Sequence, residues 1–497
     1  MKRQALAILL FFSPFLSFAQ QEGPVVKEFY KSTRNIPATF VFNDQENIMT
    51  VNNDSENFDV IAVNDEMQQI WKTSLKGYIH VVKKLNDKIL AIASTDFSSA
   101  KRYNNTFKGF LIDPASGKVL LEKVLYDGQQ DYLTSPYFFT GEGNFLKLAI
   151  RTTTIERRMH VAMPGMLSVI SFNGYYKQYH QTTSLDVLDF NEKLEPVYKF
   201  KAAVPADETF LGMASNNQGD LFVNWFGKDK IDFVKYDAGK DKPLKSISGS
   251  IVLDDDILKN LAEDMIDLAP SKKNSNVLYY SIAFRNPDKE RELGIGKIDF
   301  STGKNDYANE VFTKSHVKDI KKDFVPLNKK LGSPDLGGIK ELGVRKLMEV
   351  DDHVIVILSS FSSQSSTIGS GQWIIESNLL LNDYDSNLHL RSQQLIPSEY
   401  SVPNMPLPVG YYHKDNKLYV ITNDKHGFTT LNAFVCIYNL SSNKFESMNW
   451  IPKKKIGSSE IAATSSVMWF KDSFLMPYLD VHMMSGKFEV NLQKNSY

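Results

Sequence analysis

The 497-residue chain has one cysteine, Cys436. A single thiol closes no internal disulfide, so the fold must be held by packing alone. Cys436 sits in "AFVCIYNL", an apolar strand pattern in which a small buried hydrophobe is the expected role. An excess of charge of either sign is also missing. Lys and Arg number 57, Asp and Glu 58, and the formal net charge is −1. That balance excludes the basic footprint of a nucleic-acid binder. Past the first twenty residues no apolar run approaches a membrane span, so no membrane insertion is expected. Long helical periodicities are scarce, whereas aromatic and β-branched residues are frequent, which favours an all-β chain. No Ser-His-Asp, HExxH or phosphate-loop signature stands out, and no metal or other cofactor is expected.

The start of the chain is of a different kind. Lys2 and Arg3 precede "ALAILLFFSPFLSF", and Ser17-Phe18-Ala19 offers a small-x-small site before Gln20. This is the pattern of a secretory signal peptide spanning residues 1–19. The apolar run is short and broken by Ser13-Pro14, and no cysteine follows it for a lipid anchor. The mature chain, from residue 20, is expected to be exported, either periplasmic or secreted. Its formal charge falls to about −3 once Lys2 and Arg3 are gone.

"GFLIDPASGKVLLEKVL", from Gly109, sets two apolar runs around the polar knot Asp113-Pro-Ala-Ser-Gly117, which reads as a β-hairpin. Six similar hairpins begin at Phe58, Leu185, Ile231, Leu293, Ser377 and Ala433. A second strand pair precedes them, clearest in "GYYHKDNKLYVITND" from Gly410, and also from His80, Leu211 and Leu347. The unit is therefore four antiparallel strands, A to D, recurring every roughly 45–60 residues, or about 80 where loops are long, as in propeller blades. At the C-terminal end "SSVMWFKDSFLMPYLD" and "GKFEVNLQ" supply strands A to C of a further blade and stop. "PVVKEFY", residues 24–30, is left over at the other end and resembles an outer strand. Pairing the two ends predicts one domain, residues 20–497: a closed β-propeller of four-stranded antiparallel blades. Eight blades are expected, with seven as the alternative. In blade architecture the chain resembles the exported bacterial β-propellers, broadly the quinoprotein-like and WD40-like groups. There is no WD dipeptide repeat, kelch double glycine or Asp-box, so the resemblance implies a fold and little chemistry.

Connections in the sequence are lopsided. A–B and C–D turns, which share one face of a propeller, are short. The long connections fall on the other face: residues 153–183 in blade three, "SSQSSTIGSGQ" in blade six, and the D–A links 254–268 and 313–341. This makes the long-loop face the expected ligand side. The candidate contacts are Arg157, Arg158, His160, Tyr175 and Tyr176 of the blade-three insertion, together with Trp225, Arg285, Trp373 and His482. Tyrosine faces and guanidinium groups suit a protein, peptide or glycan partner. Met159, Met163, Met166, Met483 and Met484 lie near His160 and His482 but follow no metal-site spacing. "DDDILKNLAEDMIDLAP", from Asp254, reads as a short amphipathic helix capped by its aspartates. The expected function is a monomeric, non-catalytic binding or assembly propeller. The alternative is an exported carbohydrate-active hydrolase or other propeller enzyme, which needs convergent carboxylates.

Overall fold

A computed structural model describes residues 23–496 apart from 34–35, 55, 96–104, 129–135, 162–173, 228–229, 251–265, 287, 289, 329–330, 332–335, 337–341, 366–371, 399, 404–408, 427–429, 452–459 and 483–486. For several strand segments, among them 155–161, 174–180, 372–377 and 481–482, the description covers the backbone only.

Eight four-stranded antiparallel sheets follow one another along the chain. Blade one is Ala38–Val41, Glu46–Asn52, Asn57–Asn64 and Gln69–Lys76. Blade two is Tyr78–Leu85, Lys88–Ser94, Asn105–Ile112 and Val119–Gly128. Blade three is Tyr137–Phe139, Leu146–Val161, Gly174–Phe190 and Pro196–Ala202. Blade four is Thr209–Ser215, Leu221–Phe226, Lys230–Tyr236 and Lys245–Ser250. Blade five is Ile266–Pro270, Val277–Arg285, Arg291–Asp299 and Lys304–Phe312. Blade six is Leu342–Val350, His353–Ser365, Gln372–Tyr384 and Leu390–Ile396, with a fifth strand Tyr400–Pro403. Blade seven is Gly410–Lys414, Lys417–His426, Thr430–Asn439 and Lys444–Trp450.

Blade eight is built from both ends of the chain. Glu460–Ala462, Ser473–His482 and Lys487–Ser496 are completed by Val25–Thr33 as the outermost strand. Val26 lies opposite Leu492, Tyr30 opposite Val490 and Thr33 opposite Phe488. The closure expected from sequence is the one observed, and the ring has eight blades. The cores say the same. Apolar residues of each blade meet those of the next in eight separate clusters, and one of them joins Met49, Val51 and Ile61 of blade one to Leu475, Leu479 and Val490 of blade eight. Strands B and C are buried on both faces and therefore read as near-continuous apolar runs, such as Ile89–Ala93.

A polar latch adds to the closure. The Tyr30 hydroxyl hydrogen-bonds the Asp59 carboxylate and the Asn53 side chain of blade one, and Lys72 pairs with Asp59 at 2.7 Å. Burial raises the Tyr30 pKa, and the neighbouring Asp59 raises it further, so the phenol stays a donor. Burial alone would also raise Asp59, but hydrogen bonds from Lys72, Ser74 and Tyr30 outweigh it and leave its pKa below the usual value. A depressed carboxylate contributes stability above its unfolded pKa and loses it as pH falls through the folded value, so the latch holds at neutral pH and releases in acid. Tyr30→Phe leaves Asp59 short of one donor. It is expected to destabilise the protein by about 2 kcal/mol in urea unfolding at pH 7, with a smaller difference in acid.

Two expectations are corrected. Of the helix read over residues 254–270, Ile266–Pro270 form the first strand of blade five, while 254–265 lie outside the described residues. The link 313–341 carries a helix the sequence reading missed, Lys314–Lys322. It is capped by the Thr313 side chain accepting from the His316 amide, and it buries Val317 and Ile320 in the core between blades five and six.

Candidate functional site

Antiparallel strands put the B–C and D–A connections of every blade on one face. On that face the described parts of the blade-three insertion, 153–161 and 174–183, are strand. Strands B and C continue as one ladder, with Thr153 opposite Thr182, Arg157 opposite Gln178, Arg158 opposite Lys177, Met159 opposite Tyr176 and His160 opposite Tyr175. Strand A pairs with strand B only at 147–149, and strand D pairs with strand C only at 185–190. Residues 152–161 and 174–184 therefore pair, among the described residues, only with each other. They form a two-stranded ribbon that leaves the blade, about 30 Å long at roughly 3.3 Å per residue. Blade six repeats the device with strands reaching Ser365 and Gln372. There the outer edge is occupied, because Tyr400–Pro403 runs antiparallel along Trp373–Glu376.

The ribbon brings Arg157, Arg158, His160, Tyr175 and Tyr176 onto one ladder, while their side chains lie outside the described residues. Trp373 lies on the blade-six extension, opposite Pro403, and His482 ends strand B of blade eight, opposite Lys487. The side chains of Trp373 and His482 are likewise outside the description. Trp225 is a correction. It is 1% exposed in the core between blades three and four, edge-on to Phe210 at 5.5 Å, and presents nothing to a ligand. Arg285 does reach the long-loop end of blade five, directly opposite Arg291. The Arg291 Nε donates to the Leu342 carbonyl, and the Arg285 Nε is buried with no hydrogen-bond partner among the described residues. Burial, and then the charge of Arg285, brings the Arg291 pKa down to about 10. Sequence reasoning missed Arg291, since nothing in "DKERELGIGK" distinguishes it from a solvated charge.

Two carboxylates also meet on this face. Glu208 and Asp232 share the Lys230 ammonium, at 3.1 Å from Glu208 and in closer contact with Asp232, and Ser248 also bonds Asp232. Burial raises the Glu208 pKa; burial would raise Asp232 as well, but hydrogen bonds from Lys230 and Ser248 outweigh it and leave its pKa below the usual value. A lysine held between two carboxylates is an ion-pair cluster and not a pair flanking an open cleft.

The chain matches no family model and no curated protein. Among solved structures it is similar to the WD40 domain of SCAP from fission yeast, at 9% identity over 95% of this chain and 98% of that one, with a TM-score of 0.37. It is similar to the β-propeller domain of the Trilobed protease from Pyrococcus furiosus at 10% identity, covering 84% and 99% of the two chains, TM-score 0.37. A protein of unknown function from Dyadobacter fermentans aligns at 9% identity over 96% and 98%, TM-score 0.34. Likenesses this remote carry nothing about activity.

The short-turn face has its own hollow. Between blades eight and one lies a pocket of about 390 Å³ lined by Asp44, Asp65, Glu66, Asp472, Lys471 and Phe470. Lys494 pairs with Asp65 at 3.0 Å on its edge. No helix among the described residues is long and apolar enough to cross a membrane.

Proposed function

We infer that this chain is an exported, non-catalytic binding or assembly propeller that recognises an extended segment of a partner protein on its long-loop face. The blade-three ribbon is the observation that carries the reading. A ladder that leaves its sheet has two edges of unpaired backbone N–H and C=O groups, which accept an added strand. In blade six the chain lays its own residues 400–403 along the equivalent edge, so the geometry already takes a strand. The blade-three segment carries Arg157, Arg158 and Lys177 against Glu156, a sign that favours an acidic partner segment. Export rests on the pattern of residues 1–19, and N-terminal sequencing of the mature protein is expected to start at Gln20.

The test is a random peptide library panned against two proteins. One is the mature chain. The other lacks residues 155–180 and joins Thr154 to Gln181 through Asn-Gly. The intact chain is expected to enrich acidic, β-prone peptides that the shortened one does not retain, at equal unfolding midpoints. Replacing Arg158 and Tyr175 together by Ala should weaken the selected peptides roughly thirtyfold. Equal enrichment by both proteins removes the ribbon from the site. Retention of glycans in place of peptides would assign the face to sugars.

A further inference from the structure

Strands Val277–Arg285 and Arg291–Asp299 of blade five are joined on the long-loop face by a tight connection. In it the Asn286 amide donates to the Glu290 carbonyl, and the Glu290 amide to the Asn286 side chain, each at 3.0 Å. The connection sets Arg285 directly opposite Arg291. Opposed residues of an antiparallel pair project to the same face, with Cβ atoms about 5 Å apart. That face is turned to blade six. Two residues further into the blade Ala283 lies opposite Leu293, and both belong to the core between blades five and six. Phe312, opposite Arg291 on the next strand, belongs to it too. The Arg291 Nε donates to the Leu342 carbonyl at the start of blade six. Two half-buried guanidinium groups therefore stand at the mouth between the two blades. They sit against an apolar wall of Ala283, Leu293, Phe312 and Leu342, each no more than 2% exposed.

Like charges directly opposite one another are destabilising, and no described carboxylate neutralises this pair. The nearest candidates are engaged elsewhere. Glu292 follows Arg291 and so points to the other face, where Asn309 and Asn286 donate to it at 2.7 and 3.4 Å. Glu310 shares the blade-six face but accepts from His316 and, at 2.7 Å, from Gln393. The remaining arginine side chains among the described residues have partners. Arg345 donates to Ser359 Oγ at 2.7 Å, Arg391 lies 3.2 Å from the His353 ring nitrogen, and Arg151 lies over the Phe210 ring at 4.5 Å. Arg285 has no hydrogen-bond or ion-pair partner among the described residues, and its Nε is buried. A buried donor left unmade costs free energy that a bound acceptor recovers.

We propose that Arg285 and Arg291 form a binding site for an oxyanion, a carboxylate or phosphate group held between the two guanidinium forks at the mouth between blades five and six. An anion there turns one repulsion into two charge-assisted contacts and gives the Arg285 Nε an acceptor. Planar forks match the paired oxygens of carboxylate and phosphate, and the apolar wall behind them strengthens the attraction. Burial and then the Arg285 charge bring the Arg291 pKa to about 10, so Arg291 still carries its charge at pH 7. The site belongs to another blade than the ribbon and does not depend on the reading built there.

The test uses a chain of residues 20–497 in Tris chloride buffer, titrated separately with inorganic phosphate and with acetate, by calorimetry and thermal unfolding. Saturable binding of one or both is expected, with a rise in melting temperature, and the tighter of the two names the oxyanion class. No saturable response to either overturns the proposal. Arg285→Gln should weaken the response about tenfold or more. Lys304→Gln, at the other end of blade five, should leave it unchanged. Equal phosphate and acetate affinities in Arg285→Gln and wild type would remove the pair from the site. In oxyanion-free buffer Arg285→Gln should melt at or above the wild-type temperature, because it removes a repulsion. A lower melting temperature, or a variant that does not fold, would mean that the chain itself supplies the counter-charge, and the proposal fails. A second measurement needs no variant: the Arg285 and Arg291 Nε–H resonances of the wild-type chain should shift along the binding curve. Shifts confined to other arginines would place the anion elsewhere and overturn the assignment.

Discussion

A chain of residues 34–497 is expected to unfold at a markedly lower urea concentration than one of residues 20–497 and to associate through its exposed edge. Strand Val25–Thr33 forms the outer ladder of blade eight and places Val26, Phe29 and Tyr30 against the core shared by blades eight and one. Partial burial of three such side chains contributes about 3 kcal/mol, and the Tyr30–Asp59 contact about 2 more. The deletion therefore costs on the order of 5 kcal/mol. It also leaves Lys487–Ser496 as a ten-residue edge with nothing to pair it, the situation in which sheets recruit other chains. Urea unfolding and light scattering on a sizing column read both effects. A synthetic peptide of residues 23–34 added in trans should restore the midpoint in part, by mass action. A truncated chain with the full-length midpoint and a monomer's mass would show that the ring does not depend on its last strand.

Trp225→Ala is expected to cost about 3–5 kcal/mol while leaving ligand recognition intact. The indole is among the largest fully buried side chains, packed with Phe210, Phe200 and Tyr236 between blades three and four. Removing it opens a void between two sheets whose backbones are pinned by their own ladders and cannot collapse into it. Equilibrium unfolding measures the cost. Peptides selected by the wild-type chain should bind the variant unchanged at temperatures where it is folded. If stability were unchanged and binding lost, Trp225 would be a contact residue after all.

Why the blades were legible and parts of the site were not follows from what each kind of residue encodes. Turns such as Asp113-Pro-Ala-Ser-Gly117 need particular residues, with Gly117 at φ +70°, and such needs leave repeated marks. The end strands were readable because "PVVKEFY" and "GKFEVNLQ" were each an edge without a partner. The blade-three ribbon hid because its ladder runs through Met, Arg, Tyr and His with no alternation of polar and apolar residues to betray a strand. The first strand of blade five hid for another reason. "IDLAP" is only five residues of strand following the acidic run that reads as a helix. The helix over Lys314–Lys322 buries just Val317 and Ile320, too few to mark a 3.6-residue period. Trp225 shows the limit of inference from residue type. An aromatic at a strand end reads the same whether it faces a ligand or the neighbouring blade, and only the position of the next sheet decides.

The Lys494 amide donates to the Pro24 carbonyl at 3.0 Å, so residues 23 and 496 lie where seven other blades carry a C–D turn. A linker of a few residues between them would supply the missing turn and make the circle covalently seamless. New ends could then be cut in any other short turn, for example at Asp415-Asn416, without breaking an interblade core. Each such circular permutant keeps every blade and every neighbour but moves the weak seam to a different blade. The order in which the blades are synthesised is thus separable from the order in which they pack, and ribbon and acidic pocket can each be placed beside the seam or far from it while their chemistry is held constant.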